Sequence, residues 1–421
     1  MTHCPHFDIA TEMNMTTKIL LSLLTCAALA GALAGCNKDA PASLFDPNYV
    51  SGPTPTVTRI DPPSDALSGV TMLTITGTNF STAPANNLVF FDAVAVPVIQ
   101  ASATQLQVKA PILVSDSINV KIAVLGSDFF NTPFVYKLGS ATEAKFGNLS
   151  AAEEVASLEC DTAGNVYASM LSSGAGFGVW KFSPAGVRGA AVYSPPFSTS
   201  VGSWRGMKFG PGGTLYSVAG RNIIFQIPPG GGTPTAWVIG GGLTSLNDLD
   251  FDANGNIWAG GPTATSVFRV KPDKSVQAFP FTGTVRSVRV YAGYLYVGGK
   301  RDSLEKVWRF PITGDNLGTE EEYFNISSIY GANSSGVYGI AFNTDGDMYV
   351  GTDGAAGIVI VHQNRSSEPY YSGLLLPATL YVTWGKGADF FQGRGGTVNP
   401  KTIVRINTQK TSAPYYGRTL P

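Results

Sequence analysis

Charge is scarce in this chain. Only 14% of its 421 residues are Asp, Glu, Lys or Arg, and they nearly cancel, to a formal net charge of −1. So few charges exclude a chain held open by self-repulsion, and the even balance excludes the basic footprint of a nucleic-acid binder. Histidine is rarer, with His3, His6 and His362 alone, which leaves little for catalysis built on an imidazole. Four cysteines, Cys4, Cys26, Cys36 and Cys160, are too few and too scattered for a disulfide framework or a thiolate metal site. No G-x-S-x-G, paired histidines or phosphate loop in a strand–helix context occurs. No long stretch carries a 3.6-residue hydrophobic period, so almost no helix is expected beyond the N-terminal region.

What the chain does have is 49 glycines and 27 prolines among abundant Val, Ile, Tyr and Phe. That mixture predicts short strands joined by tight turns, and the length predicts two or three domains. The one greasy run lies near the start, "KILLSLLTCAALAGALAGC" from Lys18 to Cys36. A positive residue, a short apolar core and small residues before an abrupt polar change form the layout of an export signal. The run falls short of the roughly 20 apolar residues that a spanning helix needs. Leu33-Ala34-Gly35-Cys36 resembles the lipobox of bacterial lipoproteins. The resemblance implies cleavage before Cys36 and a diacylglycerol on its thiol, with Met13 or Met15 as alternative starts. Residues 1–35 are then a lipoprotein signal peptide, and residues 36–55, rich in Pro and Ser, a tether. Lys38-Asp39 is similar to the charged signals that send some lipoproteins to the outer face of an outer membrane. Lipid anchoring there, on the cell surface or periplasmic side, is the expected location.

Residues 56–138 alternate in the manner of half-buried strands. In "MLTITGTNF", Leu73 and Ile75 face one way and Thr74 and Thr76 the other. Ile60-Asp61-Pro62, "LTITGTNF", "LVFF", Pro111 and "FVYKL" resemble an IPT/TIG domain. The resemblance implies an immunoglobulin-like sandwich that serves as a spacer, a dimerisation unit or a binder.

Residues 139–421 repeat themselves. "ASLECDTAGNVYAS", "RGMKFGPGGTLYSV", "NDLDFDANGNIWAG", "RSVRVYAGYLYVGG", "YGIAFNTDGDMYVG" and "LYVTWGKGADFFQG" share a strand, a turn and a strand, each followed by a third such as "VWKF" or "IVIV". An aromatic recurs at Tyr167, Tyr216, Trp258, Tyr296, Tyr349 and Phe391. Steps of about 45 residues match the four-stranded propeller blade. The expected fold is therefore all-β: an immunoglobulin-like (IPT/TIG) sandwich followed by a six-bladed β-propeller. The propeller resembles the NHL and SMP-30/gluconolactonase-like group. The final "TSAPYYGRTL" is expected as the outer strand of blade six, with "ATEAKFGNLS" assisting closure.

Aligning the repeats brings Ala156, Arg205, Asn247, Arg286, Tyr338 and Tyr381 to one mouth of the ring, with Trp204, Asp248 and Ser287 beside them. The adjacent loops add Arg221, Lys300, Arg301, Asp302, Asp353 and Arg394. From these, Trp204, Arg205, Asn247, Asp248, Arg286 and Tyr338 are the candidate ligand-binding residues. Arginine forks and amide groups suit sugar hydroxyls or carboxylates, and flat aromatic rings suit sugar faces. A glycan is the expected partner, with the membrane reached through the lipid and no nucleic acid. Asn247-Asp248 also resembles a segment of gluconolactonase-like proteins, which implies a divalent metal such as Ca2+ with a blade-one glutamate (Glu153, Glu154 or Glu159). Arg205 and Arg286 stand where further ligands would be needed, so no cofactor is the primary expectation and a metal-dependent hydrolase the alternative. A scaffold for other envelope proteins is a third.

Overall fold

A computed structural model describes residues 48–198, 201–263, 265–332, 335–396 and 400–419. The signal-like run, Cys36 and most of the tether lie outside the described residues. Residues 48–53 and 126–128 form a small unit of their own, in which the Tyr49 hydroxyl donates to the Gly126 carbonyl and to Asp128. The rest forms the second unit.

That second unit begins with a sandwich of two four-stranded sheets. One contains Thr56–Asp61, Met72–Thr78, Gln105–Lys109 and Val98–Ala101; the other contains Val94–Val96, Asn87–Phe91, Ser115–Val124 and Phe134–Leu138. The alternation of the sequence is the reason. Leu73 and Ile75 turn inward to Val89, Phe91, Val108 and Val120, while Met72 is left exposed.

Six sheets follow, each with its innermost strand ahead of the next two in the chain. These strands are Glu153–Cys160, Gly206–Phe209, Asp248–Phe251, Thr284–Tyr291, Ile340–Phe342 and Thr379–Trp384. Six buried apolar clusters join the blades in cyclic order. They unite blades one and two, two and three, three and four, four and five, five and six, and six and one. The last of these, with Leu158 and Phe391 in one cluster, closes the ring. Blade one keeps three strands, its fourth reduced to isolated bridges at Ser194 and Arg188.

The recurring aromatics are the mortar. All six are buried, and Tyr167 meets Phe209 of the next blade at 4.9 Å, as Tyr216 meets Phe251 at 5.3 Å. The turn before the aromatic fixes it. Asp252 accepts the backbone N–H groups of Asn254 and Asn256 on one oxygen, and the side chains of Asn256 and Trp258 on the other, all within 3.0 Å. Asp161 does the same for Asn165 and Tyr167. Gly255 completes such a turn at φ +79°, a conformation that costs a glycine no Cβ clash.

Closure departs from expectation in one respect. The outer strand of blade six is Thr142–Phe146, from ahead of blade one, paired with Thr402–Asn407 through Ile403↔Phe146 and Ile406↔Thr142. The C-terminal segment is not a strand. It crosses the channel end opposite the mouth, bridges Asn343 to Ser412, and ends in a helical turn, Tyr416–Thr419. Its Tyr415 and Arg418 explain the route. Both reach a buried row of charge made by one position of each innermost strand, namely Glu159, Lys208, Asp250, Arg289, Ala341 and Thr383. Blades five and six carry small residues there, and the tail fills their share.

Glu159 is fully buried and accepts from the Lys208 ammonium at 2.5 Å and from Arg418 Nε at 2.8 Å. Burial alone would raise its carboxyl, but Arg418 and Lys208 together outweigh burial and hold it below the usual carboxylate range. A depressed carboxyl stabilises the fold above its unfolded pKa of about 4.3, and loses that contribution as the pH falls through the lower folded value. Glu159→Gln should therefore cost about 3–5 kcal/mol at neutral pH, since two buried cations lose their counter-ion. Urea unfolding should register that gap at pH 7 and find it narrowing in acid.

Candidate functional site

The six innermost strands surround a cavity of about 330 Å3 that opens at one face of the propeller. Every blade contributes to its lining, from two adjacent positions of the repeat. Ser157, Arg205, Asp248, Arg286, Tyr338 and Tyr381 come from blades one to six in turn. Two local devices aim the rim residues. Arg286 and Leu380 sit at register breaks in their innermost strands, between Val285 and Ser287 and between Thr379 and Tyr381. A bulge of this kind turns a side chain out of the strand's alternation. Arg205 and Asn247 instead precede their strands, and each is pinned by its backbone N–H, to Val218 O and Gly260 O.

The candidates from the sequence divide here. Arg205, Asn247, Asp248, Arg286 and Tyr338 all line the cavity. Trp204 does not. Its ring is 1% exposed and packs on Phe225 at 4.9 Å, so it belongs to the core between blades one and two. An aromatic next to a mouth position points the other way because neighbours on an extended chain face opposite sides. Arg394 is also withdrawn, with its guanidinium 5% exposed on the carbonyls of Pro377 and Pro400.

The two rim arginines are unequal. Arg286 is committed to Glu305, with Nη1 at 2.5 Å and Nη2 at 3.0 Å from its two oxygens, and lies 5.0 Å over the Tyr338 ring. Burial opposes its charge, but Glu305 more than restores it. Arg205 is exposed and, among the described residues, makes no side-chain hydrogen bond or ion pair. It rests on Gly220, where a Cβ would sit 3.0 Å from the Arg205 Cζ and Nη1. A larger residue at 220 would push the guanidinium away. Tyr381 feels Arg205: burial raises its hydroxyl to about 12 with help from Glu154, while Arg205 acts in the opposite sense.

Deeper in, polar groups serve the exposed inner edges of the blades. Asn247 donates to Arg286 O at 2.8 Å, and Tyr338 donates to Asp353 at 3.0 Å. Asp248 accepts from the Val288 N–H and the Ser287 hydroxyl, each at 2.9 Å. Burial pushes the Asp248 carboxyl up, although Arg289 and Lys208 pull it down. Sequence reasoning missed Ser157, Lys208 and Arg289 as lining residues and Tyr415 and Arg418 as their support. The signal was available in the aligned repeats, whose fourth column runs Glu, Lys, Asp, Arg across blades one to four.

The glutamates offered for a divalent ion are each engaged by a cation. Glu153 is paired with Arg188, Glu154 with Lys401, and Glu159 with Lys208 and Arg418. Among the described residues, no three His, Cys, Asp or Glu side chains converge. A calcium ion wants six to eight oxygens, and here the carboxylates already face cations. His362 lies outside the cavity, with Nδ1 3.1 Å from Asp347.

Comparison with known proteins agrees with this architecture. Residues 55–137 match the IPT/TIG domain family. A candidate phosphatase from Bacteroides thetaiotaomicron is 10% identical, with 86% of this chain and 98% of that one covered at a TM-score of 0.51. An auxiliary nutrient binding protein of the same species is 14% identical over 86% and 98% of the chains, with a TM-score of 0.49. A gluconolactonase from Xanthomonas campestris is 15% identical over 63% and 91%, at 0.46. Identities this low speak to fold alone: the chain is an all-β protein, a TIG sandwich followed by a propeller. No curated protein matches it.

An acid with a raised folded pKa contributes stability below its unfolded pKa of about 3.9 and loses it as the pH rises through the folded value. Asp248→Asn removes that loss. Thermal melts of variant and wild type from pH 4 to 8 should shift progressively in favour of the variant as the pH rises.

Proposed function

We propose that this protein is an envelope-held binding protein whose propeller mouth captures a small polar ligand, with carbohydrate as the first class. Diacylglycerol on Cys36 anchors it to an outer membrane, the tether and TIG domain hold the propeller off the bilayer, and no bond is cleaved. The observation that carries this reading is Arg205, an exposed guanidinium with no side-chain partner among the described residues, held in place at the rim of a cavity. The lining adds the amide of Asn247 and the hydroxyls of Thr284 and Tyr338, groups that exchange hydrogen bonds with sugar hydroxyls. Among the described residues that line the cavity there is no histidine or cysteine, and the one carboxylate, Asp248, already accepts three hydrogen bonds. That disfavours acid–base or nucleophilic chemistry.

A glycan array probed with the full chain should give a defined set of binders, and Arg205→Ala should weaken them by about tenfold or more. Full signal from the variant would exclude the mouth as the site. Palmitate labelling in cells should mark the wild type and fail with Cys36→Ser; unlabelled wild type would remove the anchor.

A further inference from the structure

The floor of the same cavity narrows the ligand further. Ser157 and Arg289 lie on that floor, but the Ser157 Oγ and the Arg289 Nη1 are shut off from the open space and offer a ligand no contact. Below it the channel is shut. The Tyr415 ring lies 4.8 Å from the Lys208 ammonium, 5.1 Å from the Arg289 guanidinium and 4.2 Å from that of Arg418. Nothing threads through such a plug, so a ligand enters from the rim and stops.

Resting on the binding function above, we infer that the cavity takes the terminal unit of an acidic sugar chain, end-on, as a uronate. Its carboxylate meets Arg205 at the rim. Three observations favour this ligand. One uncommitted guanidinium at the rim matches one carboxylate, because Arg286 is already neutralised by Glu305. Hydroxyl and amide groups around the wall match a polyol. The volume of about 330 Å3 lies at the small end of ligand cavities, roughly 300–1,000 Å3, which suits one unit and not an extended chain.

Calorimetry on the full chain with matched methyl glycosides tests it, glucuronide against glucoside, which differ only in the carboxylate. The glucuronide should bind at least about tenfold more tightly. An oligouronide should bind no more than about threefold better than the single unit, since only its end is enclosed. Arg205→Ala should abolish the preference for the glucuronide. Equal binding of glucoside and glucuronide, or stronger binding of inorganic phosphate or of a tripeptide, would overturn the inference. Neutral-glycan binding that still depends on Arg205 would do so and leave the binding function standing. Binding of no glycan at all would end both.

Discussion

A single buried carboxylate ties the propeller together. Glu159 has no access to water, and an isolated ion there would carry a desolvation cost of several kcal/mol. Its two cations come from places far apart in the chain, Lys208 in the next blade and Arg418 in the last described turn. Lys208 becomes a neighbour when blade two docks on blade one, and Arg418 only when the C-terminal segment crosses the ring. Apolar clusters between blades are interchangeable in kind, and a ring of similar sheets can slide or mispair. A carboxylate that tolerates only one arrangement of partners penalises those errors. Such networks add less to net stability than to uniqueness, and here uniqueness concerns the register of blade one against blade two and against the tail.

The same logic runs through the neighbouring blades. Asp250 accepts the Val290 N–H at 2.8 Å and faces Arg289, whose Nε donates to Ile340 O in blade five. Innermost strands have one edge with no further strand, and their backbone groups need partners away from bulk water. Side chains from the preceding blade provide them, as Asp248 does for Val288. The charged column is thus also an edge cover, and the mouth sits directly above it. A site built on strands whose edges are already satisfied is rigid before any ligand arrives, which lowers the ordering cost of binding.

Much of this was legible in the sequence because repetition exposes it. The turn and aromatic of each repeat, from "DTAGNVY" to "DANGNIW", specify a hairpin and its packing locally, without knowledge of the other blades. The alternation around Leu73 and Ile75 likewise fixes the sandwich. What failed was tertiary. Nothing local in "TSAPYYGRTL" distinguishes an outer strand from a plug, since the answer depends on Ala341 and Thr383 leaving space across the ring. Trp204 failed for a related reason: its position beside Arg205 was right, but the parity of an extended chain puts it in the core. Arg286 was correctly placed, while its neutralisation by Glu305, nineteen residues away on another strand, was invisible to a column-by-column comparison.

That asymmetry between Arg205 and Arg286 shapes what the mouth can do. Two free guanidinium groups at one rim would repel each other and attract polyanions without much regard for shape. Pairing one with Glu305 makes the pair neutral overall while its flat guanidinium lies over Tyr338, and leaves Arg205 as the uncommitted rim guanidinium among the described residues. The charged column below keeps a second set of cations, Lys208 and Arg289, but binds them to Glu159, Asp250 and the Tyr415 ring. Their field reaches the cavity while their hydrogen-bonding capacity is largely spent. On the binding function proposed above, a ligand meets a mildly favourable environment for negative charge throughout, with oriented recognition at Arg205.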